Sequence, residues 1–261
     1  MRIQLSDTID LKKGTAFPVL FHATSTYHME SFTNGIDPEK KSLKYELINT
    51  MFNELKQAAS DKGITLGKVD LYLSTQKNDL KGYRYGSFYL TNCLFRLGLY
   101  LDEDGYRGIG EIMSCLISGY KEYHDKTGEY YQFSADGAQD YLETFYDVKT
   151  GTVRDDIKPV VICIYDVPAK YIIDEYSAKP VGEKLPRALV RSVPGGFRKI
   201  TEGGGSLEIT IRDYIRSQNS WIYDGPIIER DMYDIIVFDT DELTEKKKNG
   251  NEYLNYIWEK L

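Results

Sequence analysis

The stretch at residues 160–167, VVICIYDV, is apolar at nearly every position. A strand that is buried on both faces has this pattern, because neither of its sides meets water. We therefore expect residues 160–167 to form an interior strand of a sheet, and this strand to set the fold class.

Further strands and helices are predicted on both sides of this stretch. β-Branched and aromatic content favours strands, which we place at 17–24 (FPVLFHAT), 70–74 (DLYLS), 87–91 (SFYLT) and 233–239 (YDIIVFD). Apolar residues at helical spacing predict helices at 38–60, 92–100, 109–123, 138–146 and 251–261. Strands do not alternate regularly with helices, which favours an α+β fold over a doubly wound sheet.

Composition narrows the class of protein. The 261 residues include 40 acidic and 33 basic side chains, a net charge of −7, which disfavours a surface that coats nucleic acid. Cys93, Cys115 and Cys163 lie far apart in apolar stretches, so we expect buried thiols in a reducing compartment. No apolar run approaches the roughly 20 residues that span a bilayer. We expect a cytoplasmic protein with no membrane partner.

Common motifs for phosphate and metal binding are missing from the sequence. No Walker-type loop occurs, and the pair Gly108 and Gly110 lacks the third glycine of a dinucleotide fingerprint. His22, His28 and His124 are the only histidines, and none lies at metal-ligand spacing from another ligand. We therefore expect no metal cofactor.

Three segments carry side chains that are unusual for their setting. His22 and Thr24 lie on the same side of a predicted apolar strand, because side chains alternate with period two. His22 is then either a core histidine bonded to backbone or a group aimed into a cleft at the strand end. Tyr89 and Tyr100 are eleven residues apart and either form an aromatic slot or pack in the core.

The third segment is 233–239, YDIIVFD, where Asp234 precedes three apolar residues at the start of a strand. A carboxylate in such a setting is costly to bury unless it is paired or functional.

Together these segments resemble the ADP-ribosyltransferase superfamily, in its diphtheria-toxin-like branch that includes the poly(ADP-ribose) polymerases. That branch has an aromatic-His-Gly-(Thr/Ser) motif on its first core strand, and LFHATS at 20–25 is similar, with Ala23 in place of glycine. Its G-x-G-(I/F)-Y-(F/L) strand, with a second tyrosine eleven residues on, resembles residues 86–90 and Tyr100, with Ser87 in place of a glycine. Asp234 stands where many members carry glutamate.

The resemblance implies split antiparallel β-sheets around an NAD⁺ cleft, with residues 1–261 as one domain and a helical insertion at 103–157. It implies that Tyr89 and Tyr100 stack on nicotinamide, that His22 and Thr24 hold the adenosine ribose, and that Asp234 stabilises the cation formed at the other ribose. Residues assigned to NAD⁺ are His22, Ala23, Thr24, Gly86, Ser87, Tyr89 and Tyr100, and catalytic residues are His22, Tyr89 and Asp234, with Glu229 as the fallback acid.

The implied activity is mono-ADP-ribosyl transfer from NAD⁺ to a macromolecule, either protein or nucleic acid, by a bacterial toxin or antiphage effector with an antitoxin or regulatory protein as partner. Trp221 and Tyr223 would belong to the loop that recognises the acceptor. Two alternatives are an NAD glycohydrolase, and a catalytically inactive module that binds ADP-ribose or a partner. An unrelated α+β protein is the remaining interpretation.

Overall fold

The strand predicted at 160–167 is the interior of a longer strand, Pro159–Pro168, whose first six residues are all buried. The computed structural model describes residues 4–11, 16–40, 44–77, 87–101, 108–175, 179–182, 207–217 and 220–261. Its strands are β1 (Thr8–Leu11), β2 (Ala16–Ser25), β3 (Phe88–Thr91), β4 (Tyr146–Asp147), β5 (Thr152–Val153), β6 (Pro159–Pro168), β7 (Ile172–Asp174), β8 (Lys179–Pro180), β9 (Leu207–Thr210), β10 (Ser220–Tyr223) and β11 (Tyr233–Val237).

Seven of these strands form one antiparallel sheet in the order β11-β6-β2-β3-β10-β7-β8. β2 and β6 pair from Ala16 opposite Pro168 to Ser25 opposite Pro159, with a gap at Pro18 and Asp166. The strands predicted at 17–24, 87–91, 160–167 and 233–239 are confirmed as β2, β3, β6 and β11. With helices beside an antiparallel sheet, the fold is of the predicted α+β class.

The helices account for the periodic segments. They are α1 (Tyr45–Asp61), α2 (Gly67–Lys77), α3 (Leu94–Leu101), α4 (Glu111–Thr127), α5 (Ala138–Glu143), α6 (Ile211–Arg216), α7 (Thr240–Lys247) and α8 (Gly250–Lys260), with a short 3₁₀ helix at Thr26–Phe32 after β2. The helical predictions at 38–60, 92–100, 109–123, 138–146 and 251–261 correspond to α1, α3, α4, α5 and α8.

The strand predicted at 70–74 is wrong, because these residues belong to α2. Val69 and Tyr72 point to the same side of that helix and are buried, whereas Leu71 is exposed. The Tyr72 ring stacks on Phe52 of α1 at a centroid distance of 3.8 Å. Short alternation of apolar and polar residues fits a strand and a helix equally well over five residues, and packing against α1 and α4 decides for the helix.

Two clusters of buried side chains support the structure. One lies on the sheet and includes β2, β6, β10, α3 and α8. The other joins α1 and α2 to α4, α5, β4 and β5. The predicted helical insertion at 103–157 therefore shares its core with residues 48–72, which precede it by two elements; residues 103–107 lie outside the described part of the chain. Among the described residues, no helix is long and apolar enough to span a membrane.

The sheet is divided between β2 and β3. These strands share a single register pair, Phe21 opposite Thr91, although each pairs over four or more residues with its other neighbour. Past that pair, the backbone ladder between the described residues of β2 and β3 does not continue. This interruption leaves room at the end of both strands for the candidate site.

Candidate active site

A cavity opens where β2 and β3 separate. Its walls come from the end of β2, from β3, from α3, and from the segment that leads into α4. Six of the residues that the sequence assigns to NAD⁺ line it, namely His22, Ala23, Thr24, Ser87, Tyr89 and Tyr100. The seventh, Gly86, lies outside the described residues. The structure thus brings the His22 and Tyr89 segments, which are far apart in the chain, to one cavity.

His22 spans the division between the two strands. Its Nδ1 lies 2.8 Å from the carbonyl oxygen of Tyr89; a carbonyl only accepts, so Nδ1 carries the proton. The ring packs against Phe88 and Phe32, at centroid distances of 4.3 and 5.9 Å. Burial lowers the pKa of His22 to about 4, and the bond to Tyr89 offsets only part of that effect.

Both interpretations of His22 therefore apply at once. Its Nδ1 is bonded to backbone, as for a core histidine, and its ring also lines the cavity. Near neutral pH the ring is uncharged, so its second nitrogen, Nε2, is an acceptor for a ligand hydroxyl.

Tyr100 is held at the cavity by Arg96, one turn earlier on α3. The Arg96 Nε donates to the Tyr100 hydroxyl at 2.8 Å, and its guanidinium carbon lies 5.9 Å from the centre of the Tyr100 ring. Burial raises the pKa of Tyr100, and the guanidinium offsets part of this rise. Tyr100 is thus a neutral phenol that offers an aromatic face beside a cation.

Asp234 is not in the cavity, which corrects the prediction that four side chains converge there. In the antiparallel register Asp234 lies opposite Cys163, and Cys163 lies opposite Phe21. β6 lies between β11 and β2 in the sheet, so Asp234 is two strands away from His22. It is exposed and accepts a hydrogen bond from the Tyr165 hydroxyl at 3.1 Å.

The fallback acid Glu229 does not line the cavity either. It is exposed and directly precedes a short 3₁₀ helix at Arg230–Met232. Neither carboxylate selected from the sequence is brought to His22.

Trp221 and Tyr223 do not form an acceptor-binding loop. They lie in β10 and are almost completely buried, with exposed fractions of 0% and 6%. The Trp221 indole Nε1 donates to the Asn92 side-chain oxygen at 2.8 Å, and its ring meets Phe17 edge to face. Stacking on a nucleobase by these rings is ruled out by their position in the core.

Sequence reasoning missed the role of Gly108 and Gly110, which line the cavity just before α4. Gly108 has φ +69°, and a Cβ on it would lie 1.8 Å from the carbonyl oxygen of Thr24. Glycine is therefore required where this turn meets the end of β2. The missing third glycine excluded a dinucleotide fingerprint, but the pair itself was a signal of close approach.

His28 was also missed. It is buried in the 3₁₀ helix after β2, lines the cavity, and its ring lies beside Tyr27 and Phe145. Burial lowers the pKa of His28 to about 4, with a further contribution from the charge of His22. The cavity thus has two uncharged histidines near neutral pH.

Three carboxylates do line the cavity: Asp37, Glu111 and Glu175. Lys40 and Arg96 provide positive charge in the same walls. Among the described residues no group of three or more His, Cys, Asp or Glu side chains is arranged to hold a metal ion.

Comparison of the chain with models of protein families, with curated proteins and with solved structures gives no match. The functional conclusion therefore depends on the geometry of the cavity together with the sequence resemblance.

Proposed function

We propose that the chain is a mono-ADP-ribosyltransferase that uses NAD⁺ and modifies a protein or nucleic acid. The observation that carries this proposal is that His22, Tyr89 and Tyr100, which the resemblance assigns to NAD⁺, line one cavity. The split sheets that the same resemblance implies are part of this proposal; β2 and β3 belong to one seven-stranded sheet and share a single register pair, Phe21 opposite Thr91.

The proposed reaction transfers one glycosyl group. The bond between the nicotinamide nitrogen and C1′ of its ribose breaks, and its electron pair stays on the nitrogen to give neutral nicotinamide. A nucleophilic oxygen or nitrogen of the acceptor then bonds to C1′ and loses its proton to water. Positive charge develops on the ribose between these events, as in glycoside hydrolysis.

Each cavity residue has a role that its chemistry supports. The faces of Tyr89 and Tyr100 suit the flat, cationic nicotinamide ring. The neutral His22 ring, with its proton on Nδ1, offers Nε2 to a ribose hydroxyl, and Thr24 supports the same sugar. Asp234 has no place in this assignment, because it is remote from the cavity.

An NAD glycohydrolase is the second candidate, with water as the acceptor. The cavity geometry fits it equally, since the two reactions share the bond that breaks. A module that binds ADP-ribose without catalysis is favoured by one observation, namely that the predicted carboxylate is outside the cavity. A regulatory protein or antitoxin as partner remains a proposal from the resemblance.

Radiolabelled NAD⁺ tests the proposal, given to the purified chain alone and in a cell lysate. We expect nicotinamide release and label on a macromolecule, and sensitivity of the label to protease or nuclease identifies the acceptor class. Release without label indicates a glycohydrolase, and binding without release indicates an inactive module.

The Tyr89→Ala variant links activity to this cavity. We expect it to lose most nicotinamide release, while Tyr130→Ala, which removes a ring stacked on His124 away from the cavity, serves as the matched control. Equal rates for the two variants and the wild-type chain, with unchanged circular dichroism, contradict the proposed site.

A further inference from the structure

Glu175 reaches the cavity through the register of the sheet. Trp221 lies opposite Asp174 in β10 and β7, and the next residue, Glu175, donates its backbone N–H to the Ser220 carbonyl oxygen at 3.4 Å. Ser220 lies opposite Thr91, and Thr91 opposite Phe21. Glu175 therefore extends the line of cross-strand neighbours formed by Phe21, Thr91 and Ser220, and these four residues all line the cavity.

One oxygen of the Glu175 carboxylate lacks a hydrogen-bond donor among the described residues. Its side chain is 23% exposed, and within the described part of the chain its Oε2 is shielded from solvent with no hydrogen-bond partner. Arg96 forms an ion pair with this carboxylate, but its Nη2 lies 3.8 Å from that oxygen, beyond hydrogen-bonding range. A buried acceptor without a partner costs free energy, and a hydroxyl of a bound sugar would remove that cost.

The other two cavity carboxylates are less suited to this role. Asp37 is exposed and its Oδ1 already accepts the Glu39 backbone N–H at 3.0 Å. Glu111 is exposed in the first turn of α4. Water screens charge at both positions, whereas a shielded carboxylate acts more strongly on a nearby charge.

Arg96 places Glu175 close to the predicted nicotinamide site. Its Nε contacts the Tyr100 hydroxyl while its Nη2 faces Glu175. One side chain thus separates the aromatic face proposed for nicotinamide from the carboxylate oxygen.

We infer that Glu175 is the catalytic carboxylate of this cavity, in the role that the sequence assigned to Asp234. This inference rests on the proposed function. The carboxylate accepts a hydrogen bond from a hydroxyl of the nicotinamide ribose and opposes the positive charge that develops at C1′ as the bond to nicotinamide breaks. It gains and loses no proton in that step.

The test compares Glu175→Gln, Glu175→Asp and the wild-type chain. Gln keeps the shape and removes the charge, Asp keeps the charge on a shorter side chain, and Glu245→Gln on exposed α7 is the matched control for loss of one negative charge. The readouts are the rate of nicotinamide release from NAD⁺, resolved into kcat and KM, and the melting temperature.

We expect Glu175→Gln to lower kcat by about 100-fold, the effect of removing one preorganised group that stabilises transition-state charge. KM and the melting temperature change little, Glu175→Asp retains more activity than Glu175→Gln, and Glu245→Gln has the wild-type rate.

A wild-type chain that releases nicotinamide, with Glu175→Gln within threefold of it, overturns the role of Glu175 and leaves the proposed function standing. A loss of activity that affects Glu175→Asp and Glu175→Gln equally, together with a fall in melting temperature, shows a structural role and also overturns it. A wild-type chain that neither releases nicotinamide nor labels an acceptor overturns the proposed function, and the inference with it.

Discussion

The two parts of the sheet on either side of the division differ in strand length and in what they contribute. β6 and β2 have ten residues each and pair from end to end except at Pro18 and Asp166. β3, β10 and β7 have four, four and three residues. The long strands form a continuous apolar layer, while the short strands supply Tyr89, Ser220 and the approach to Glu175.

The line of cross-strand neighbours from Glu175 to Phe21 continues through Cys163 to Asp234. This row therefore passes through both parts of the sheet and has a carboxylate at each end. Asp234 lies on the edge strand of the long part, exposed and bonded to Tyr165. Glu175 follows a strand of the short part, with a shielded oxygen. A carboxylate next to an apolar strand in the sequence therefore does not identify a functional site. Its burial and its position in a cavity wall do.

The largest effect is expected where α4 approaches β2. Gly108→Ala places a Cβ 1.8 Å from the Thr24 carbonyl oxygen, so the turn must move away from the end of β2. The φ of +69° adds a backbone cost for alanine. We expect the free energy of unfolding, measured by urea denaturation, to fall by about 3 kcal/mol. We also expect nicotinamide release to be lost.

Gly137→Ala is the matched control, because Gly137 has the same φ of +69° and a Cβ added there would have no neighbouring atom within 4 Å. In this variant the free energy of unfolding should fall only by the backbone cost of alanine at positive φ, about 1 kcal/mol. Similar losses for the two variants contradict the contact between Gly108 and the end of β2.

Neutralising the carboxylate at each end of the row tests which part of the sheet contributes to activity. Glu175→Gln should reduce nicotinamide release far more than Asp234→Asn, because only Glu175 lines the cavity. The ratio of the kcat of Glu175→Gln to that of Asp234→Asn, measured at saturating NAD⁺, is expected to be about 1:100, the effect of one preorganised group. A lower rate for Asp234→Asn than for Glu175→Gln reverses the assignment.

Much of the long-stranded part could be predicted from the sequence, since local patterns are sufficient there. β2 and β6 are apolar runs, and His22 is conspicuous within one of them. The short part could not be predicted in the same way: Trp221 and Tyr223 resemble loop residues until β10 is paired between β3 and β7. Glu175 has no local signal at all, because its place depends on register across three strands.

Acid should destabilise the part around His22 and His28. Both have pKa values of about 4 in the folded chain against 6.5 in the unfolded one, so between those values the unfolded state binds more protons. The free energy of unfolding therefore falls as pH drops from 6.5 towards 4, by at most about 1.4 kcal/mol per pH unit for each histidine.

His28→Gln separates this effect from that of the carboxylates, which act mainly at lower pH. Between pH 6.5 and 5, we expect the free energy of unfolding of the variant to change with pH about half as steeply as that of the wild-type chain. Urea denaturation at steps of half a pH unit measures this slope. An unchanged slope indicates that His28 is protonated in the folded state.

The smallest effect is expected at the exposed end of the row. Tyr165→Phe removes the hydroxyl that donates to Asp234, and because Asp234 is exposed, water replaces that bond. We expect a change below about 0.5 kcal/mol in the free energy of unfolding, with the rate of nicotinamide release unchanged. A loss of several-fold in that rate would mean that Tyr165 and Asp234 act on the cavity from the far strand, and that the division between the two parts of the sheet does not isolate them.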